Sequence, residues 1–218
     1  MEARTEKEYL KGGEFLIAEQ AAEDVFTPED LTDEQRMIGE TSKEFVDNEV
    51  HPQLPAMENH DWAIARGLVK KAGELGLLGA TTPEEYGGLG LDQTTGVVIA
   101  EMMGRGGGFG TTFGAQTSIG LLPILYFGSE ELKKQWIPRI VSGETVAAYC
   151  LTEAGSGSDA LGAKTTAKLT DDGSHNVLNG EKMFISNGSF ADMFIVFAKV
   201  DGEKEKFSAF IVERSETC

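Results

Sequence analysis

Two cysteines in 218 residues, Cys150 and Cys218, are too few for a disulfide framework and have no metal-ligand spacing. Histidine is as scarce: His51, His60 and His175 are scattered, and no metal site is expected. Basic residues are outnumbered, 19 Lys and Arg against 36 Asp and Glu, for a formal net charge of −17. That balance argues against nucleic acid or an anionic membrane surface as a partner. No apolar run approaches the length of a membrane span, about 20 residues. The start, Met1 to Lys11, is charged and lacks the apolar core of a signal peptide. A cytoplasmic location and the absence of a transmembrane segment are the expectations.

What the chain does contain falls into two textures, with room for a sizeable core. Residues 30–141 read as helices. Thr32-x-x-Gln35 is a capping box, opening a helix with Met37, Ile38, Phe45 and Val46 on its apolar side and Pro52 and Pro55 at its end. Ile64, Leu68, Val69, Ala72 and Leu75 form a second stripe, stopped at Gly76. Further helices are expected over about Asp92–Met103 and Thr111–Tyr126, and one more after a Ser129 cap. From Thr145 on, short alternating runs separated by Asp172-Gly173 and Asn179-Gly180 read as strands and hairpins. The expected runs are Ala147–Leu151, Lys164–Leu169, Asn176–Leu178, Lys182–Ser186, Phe194–Val200 and Phe207–Val212. The expected class is α+β: an amino-terminal extension over 1–29, a helical bundle over 30–141 and an incomplete antiparallel β domain over 142–218.

The chemistry is concentrated in Tyr149-Cys150-Leu151-Thr152-Glu153-Ala154-Gly155-Ser156-Gly157-Ser158-Asp159. A short apolar strand breaks there into glycines, which let backbone approach a ligand, and hydroxyls, which can donate or accept without charge. Some thirty residues on, Lys182-Met183-Phe184-Ile185-Ser186-Asn187-Gly188 places an aromatic two positions before a hydroxyl, on one face of an expected strand. The pair suits a flat, polar-edged ring such as a flavin. Gly155-x-Gly157-x-x-Ala160 also fits the loose fingerprint of a nicotinamide dinucleotide fold, but the hairpin signals that follow oppose it. A glycine-rich hairpin loop with no ligand stays open. Cys150 reads as a small core residue.

Both motifs, in this order, resemble those of the acyl-CoA dehydrogenase family, flavoenzymes that introduce a double bond α,β to a thioester. Pro83-Glu84-Glu85-Tyr86-Gly87-Gly88-Leu89-Gly90-Leu91 resembles the family's helical-domain loop, and Phe127-Gly128 to Gly143-Glu144 its helix into the β domain. Ala115-Gln116-Thr117-Ser118-Ile119-Gly120, Ser186-Asn187-Gly188 and Phe210-Ile211-Val212-Glu213-Arg214 lean to the very-long-chain branch. Ala154 stands for a common proline, Phe184 for a frequent tryptophan and Ser186 for a frequent threonine.

The resemblance implies FAD as cofactor, bound weakly or not at all by this chain alone. Thr152 would bond the ring's pyrimidine side. Phe184 would pack on it, and Ser186 would bond near its N5 edge. Tyr149, Cys150, Leu151, Gly157 and Ile185 would line the cofactor, and Ser158 would touch both cofactor and the thioester's pantetheine or phosphate part. Gly110 and Gly114, one turn apart, leave a helix face without side chains, against which either another backbone packs closely or a channel runs; the resemblance implies that Gly114 would border the acyl tail. The implied activity is dehydrogenation of fatty acyl-CoA in β-oxidation. The general base is expected beyond Cys218, in a carboxy-terminal helical domain absent here, so this chain is expected to be inactive; Glu101 and Glu153 are poor candidates. A non-catalytic fragment without flavin is the alternative. Implied partners are the acyl-CoA substrate, an electron-transferring flavoprotein docking at Leu77, Leu89, Leu91 and Ile99, and further copies of the chain.

Overall fold

The computed structural model describes residues 10, 13–21, 24–203 and 206–215; Cys218 lies outside them. Helix α1 (Asp33–Phe45) opens on the expected box: Thr32 Oγ1 accepts from Gln35 N at 3.1 Å, and Gln35 Oε1 accepts from Thr32 N at 2.9 Å. Gln35 Nε2 also donates to Asp92, whose carboxylate caps α4 (Gln93–Gly104) through Thr95 N at 2.8 Å. One buried amide therefore fixes the starts of two helices that pack along each other.

The expected stop at Pro52 and Pro55 is instead a change of pitch. Residues Val46–Val50 form a wide π turn, His51–Gln53 a 3-10 turn, and Leu54–Glu58 helix α2. Each proline sits in the first turn of the piece it begins, where a missing N–H costs nothing. Met37, expected on the apolar side, is 65% exposed, while Phe45 and Val46 are buried. Helix α3 (Trp62–Glu74) buries Ala65, Leu68, Val69 and Ala72 and ends at left-handed Gly76; Leu75, past its end, is exposed.

The single helix expected over Thr111–Tyr126 is broken into α5 (Gly108–Gly114), a π turn (Ala115–Ile119) and α6 (Leu122–Phe127). Pro123 has no N–H to continue the ladder. Gln116 holds the wide turn in place: fully buried, it donates to Ile140 O and Thr145 O and accepts from Ala147 N, at 3.0, 2.7 and 2.8 Å. Helix α7 (Glu130–Val141) follows its Ser129 cap.

Strands β1 (Ala147–Cys150), β2 (Thr166–Leu169), β3 (Asn176–Asn179), β4 (Met193–Val200) and β5 (Phe207–Glu213) make one sheet. β2–β3 and β4–β5 are antiparallel hairpins. β1 and β2 run parallel to β4, so the sheet is mixed rather than antiparallel throughout. The chain between β1 and β4 is long enough to bring β4 back from the same end. Lys182–Ser186 is not a strand. Phe184 and Asn187 both have positive φ, +58° and +66°, which breaks any extended path.

Two apolar cores share the sheet. Val146, Ala148 and Phe194 pack with the buried faces of α1 and α3–α5, whereas Ala147, Tyr149, Met193 and Ile195 pack with α6 and α7. β1 is buried on both faces, which is why its sequence is a continuous apolar run instead of an alternating one.

Candidate functional site

β1 ends at Cys150, and the next residues meet the second motif. Met183 N donates to Thr152 O at 2.8 Å. Beside it, Lys182 Nζ donates to Leu151 O at 3.1 Å and to Glu153 Oε1 at 2.8 Å, in an ion pair whose side chains are only 10% and 9% exposed. Glu153 also accepts from Lys164 N, Thr165 N and Thr165 Oγ1. Burial alone would raise its carboxyl pKa; the bonds from Lys164, Lys182 and Thr165 outweigh it and bring the value down to about 2. Glu153 is thus a fixed anion bonded on several sides, not a proton acceptor. Glu101 is exposed on α4.

The glycine-rich turn is closed by reciprocal bonds between Glu153 and Ser156 backbones, and Ser156 Oγ donates to Asp159 O at 2.6 Å. Gly155 and Gly157 have ordinary φ, and a Cβ built on either meets nothing within 4 Å. Nothing inside the chain demands glycine there; the bare backbone simply faces open space. The hydroxyls of Thr152, Ser158 and Ser186 have no hydrogen-bond partner among the described residues. Only a short 3-10 turn, Ala160–Gly162, precedes β2, so the helix that a dinucleotide fingerprint requires is missing.

The second motif departs most from expectation. Phe184 is 87% exposed on a left-handed backbone. Ile185 is partly buried against the helical core, and Ser186 is half-buried. Phe184 and Ser186 therefore do not share a strand face; an irregular turn presents them. Tyr149 lies against Phe197 with ring centroids 5.0 Å apart. Burial pushes the Cys150 thiol up to about 11, partly offset by the Lys182 charge, so it stays protonated and inert at neutral pH.

A groove of about 430 Å³ runs between α4 and the α5–α6 segment, lined among others by Leu77, Ile99, Gly110, Phe113, Gly114 and Tyr126. Gly110 and Gly114 both reach it but differ. A Cβ on Gly110 would stand 2.7 Å from Met103 O, whereas one on Gly114 meets nothing within 4 Å. Of the residues expected to dock a partner, Leu77 and Ile99 are core, 5% and 2% exposed. Leu89 is 48% exposed and Leu91 partly buried.

Several residues that tie the candidate site to its surroundings have no role legible in the sequence, although Asn187 and Arg214 fall within the motifs quoted above. Asn187 Nδ2 donates to Thr112 O and Ala147 O. Arg66 reaches from α3 to Phe190 O and Asp192, and Trp62 stacks on Phe190. Arg214 donates to Gly188 O and Ala191 O. None has a spacing signal, because each bridges segments distant in sequence; only the Asn187-Gly188 pair carries a turn signature.

Among the described residues no helix is long and apolar enough to cross a membrane, and no metal-ligating cluster occurs. Residues 32–144 match the family model "Acyl-CoA dehydrogenase, N-terminal domain" and residues 148–217 match "Acyl-CoA dehydrogenase, middle domain". A probable acyl-CoA dehydrogenase of Bacillus subtilis is 54% identical over 212 residues, covering 97% of this chain and 35% of that protein. The human mitochondrial very long-chain specific acyl-CoA dehydrogenase is 46% identical over 149 residues, 65% of this chain and 23% of that one. The crystal structure of an acyl-CoA dehydrogenase complexed with FAD from Bacillus anthracis superimposes with a TM-score of 0.88 at 57% identity, covering 94% of this chain and 35% of that one. The chain spans about a third of the length of the Bacillus relatives. Matched over both its helical and its sheet portions, the chain belongs to the acyl-CoA dehydrogenase family.

Proposed function

We propose that this chain forms the cofactor- and thioester-facing part of an FAD-dependent enzyme that dehydrogenates fatty acyl-CoA at the α,β position, as in β-oxidation. The observation that carries the reading is the junction at Met183 N and Thr152 O. It joins the stretch that carries Thr152, Gly155, Gly157 and Ser158 to the stretch that carries Phe184 and Ser186, with three unpartnered hydroxyls, an exposed aromatic ring and two bare glycines between them. This donor set fits a flavin: hydroxyls for a polar rim, Phe184 for the ring face, exposed backbone for close approach. Bound FAD would supply the hydride acceptor.

The chain's own residues then bind and orient. Thr152 and Ser186 bond the ring's edge and Phe184 covers it. Tyr149, Cys150, Leu151, Gly157 and Ile185 line the cofactor through backbone, since the Cys150 and Ile185 side chains point into the protein's cores or their margin. Ser158 meets the cofactor and the pantetheine or phosphate of the thioester. The groove beside Gly114 takes the acyl tail, and its open face suits a long one. Neither Glu153, held as an anion by its bonds, nor Glu101, exposed on α4, is assigned the α-proton, and this reading gives that role to no residue described. Leu89, with the partly buried Leu91 beside it, is the exposed part of a docking surface for an electron-transferring flavoprotein. The complete enzyme is an oligomer in the cytoplasm, and this chain alone turns over no acyl-CoA.

With Phe184 exposed and the glycine turn open, FAD binding by the chain alone is weak. Flavin fluorescence during FAD titration should show saturable quenching that Thr152→Ala and Phe184→Ala weaken. No quenching, or equal quenching by the variants, would favour a fragment with no flavin role. Turnover of a saturated acyl-CoA by the chain with an artificial acceptor would overturn the proposed inactivity.

A further inference from the structure

The segment Phe184–Ser186 has no strand or helix to hold it. It is suspended between two fixed points. At one end, Met183 N is bonded to Thr152 O. At the other stands Asn187, 7% exposed, whose Nδ2 donates to Thr112 O on α5 at 3.3 Å and to Ala147 O on β1 at 3.1 Å. Its backbone carbonyl accepts from Phe190 N and Ala191 N, which turns the chain into β4.

Asn187 also breaks two ordinary rules. Its φ of +66° is left-handed, and its Oδ1 is buried with no partner among the described residues. An unpaired buried acceptor and a left-handed backbone each cost free energy, and such features persist only where the surroundings over-determine them. Asparagine is one of the few non-glycine residues that tolerates this conformation. Glycine would tolerate it better but has no donors. The choice of asparagine therefore points to its side chain. The amide spans the helical portion and the sheet from a single buried position, so it sets the segment in register with both at once.

We infer that Asn187 is the positioning residue of the Phe184–Ser186 segment: its two N–H donors, rather than its backbone conformation, tie the backbone that carries the aromatic and hydroxyl of the second motif to α5 and β1. The consequence for cofactor binding rests on the flavin reading above; the lock itself does not.

Asn187→Gly keeps the left-handed backbone and deletes both donors, while Asn187→Ala deletes the donors and also strains the backbone. Amide hydrogen exchange of the 218-residue chain, followed by peptide mass spectrometry, reads the lock without any cofactor. In both variants exchange across residues 183–191 should accelerate about tenfold or more relative to wild type, as expected on losing one or two net hydrogen bonds. Exchange in α1 and α4 should stay unchanged. Wild-type protection in Asn187→Gly alongside lost protection in Asn187→Ala would mean that only backbone conformation matters, and would overturn the inference. Equal acceleration throughout the chain would do the same, since it marks a general stability role. FAD titration forms the second arm: Asn187→Gly should weaken binding and alter the bound flavin's visible spectrum. Wild-type affinity and spectrum in Asn187→Gly would overturn the inference. Absence of FAD binding by wild type would mean that this chain alone does not hold the cofactor, and the exchange pattern would still decide the role of Asn187.

Discussion

Glu153 links the first motif, the second motif and the start of β2 through one carboxylate. A buried ion pair is weak evidence for stability as such, because desolvating two charges offsets much of their attraction. Here the carboxylate also accepts three bonds from Lys164 and Thr165, which satisfies its remaining lone pairs. Its pKa of about 2 lies below the ordinary carboxyl value, so between about 2 and 4.5 the unfolded chain binds more protons than the folded one. The stabilisation is complete above the unfolded value and is lost as pH falls through that window. Asp172, exposed and held at about 2 by Thr170 and Ser174, acts in the same range. Urea unfolding measured from pH 6 down to pH 2.5 should show wild-type stability falling, with a shallower slope in Glu153→Gln. An unchanged slope would mean that the pair contributes nothing to the acid limb. Glu153→Gln should be less stable than wild type at pH 6, since it strands the Lys182 ammonium in a nearly closed site.

At the scale of elements, α5 and its wide turn show how two glycines one turn apart can differ. Gly110 is there because α4 passes too close: a Cβ would press on Met103 O. Gly114 has helical φ and ψ of −61° and −42° with open space beside it. Opposite outcomes follow. Gly110→Ala should lose about 1–3 kcal/mol by forcing α4 and α5 apart. Gly114→Ala should be neutral or gain about 0.5–1 kcal/mol by restricting the unfolded chain. Thermal unfolding of the two variants checks both signs, and destabilisation by Gly114→Ala would mean that the groove closes on it. In a complete enzyme carrying this chain, Gly114→Gln should cut turnover on long acyl chains more than on short ones. An equal loss on both would exclude the groove as the acyl path.

Over the whole molecule, the sheet belongs to two cores at once. β1 turns Ala148 to the helical cluster and Ala147 to the other, and Gln116 ties the ends of α7 and β1 together through the turn before α6. Trp62 and Arg66 clamp α3 to the loop before β4. Helical and sheet portions should therefore unfold together, although they match separate family models. Trp62 sits at the junction and Trp136 in the second core. Tryptophan fluorescence and far-ultraviolet circular dichroism should trace one coincident transition in urea. Two separated midpoints would show that the shared strand does not couple them.

The sequence by itself determined the local features whose causes are local. The Thr32–Gln35 box, the Ser129 cap, the stop at Gly76 and the Asp172-Gly173 hairpin turn were legible because each depends on residues within a few positions, whereas Asn179-Gly180 turns into no second hairpin. Two cysteines left no disulfide framework to expect, and the two glycine- and hydroxyl-rich stretches are the ones on which the proposed site rests. Only the tertiary structure decided that Lys182–Ser186 is not a strand: Phe184 is left-handed, and the stretch is held at Met183 by Thr152 and just beyond its end by Asn187 bonds to α5 and β1, none of them near in sequence. It likewise decided the parallel placing of β1, the break of the long helix around Gln116 and Pro123, and which glycine opens onto the groove. Periodicity reports which face of a segment is apolar. It does not report which distant carbonyl a buried amide will reach, and in this chain such amides, Gln116 and Asn187, tie helical segments to β1 beside the candidate site.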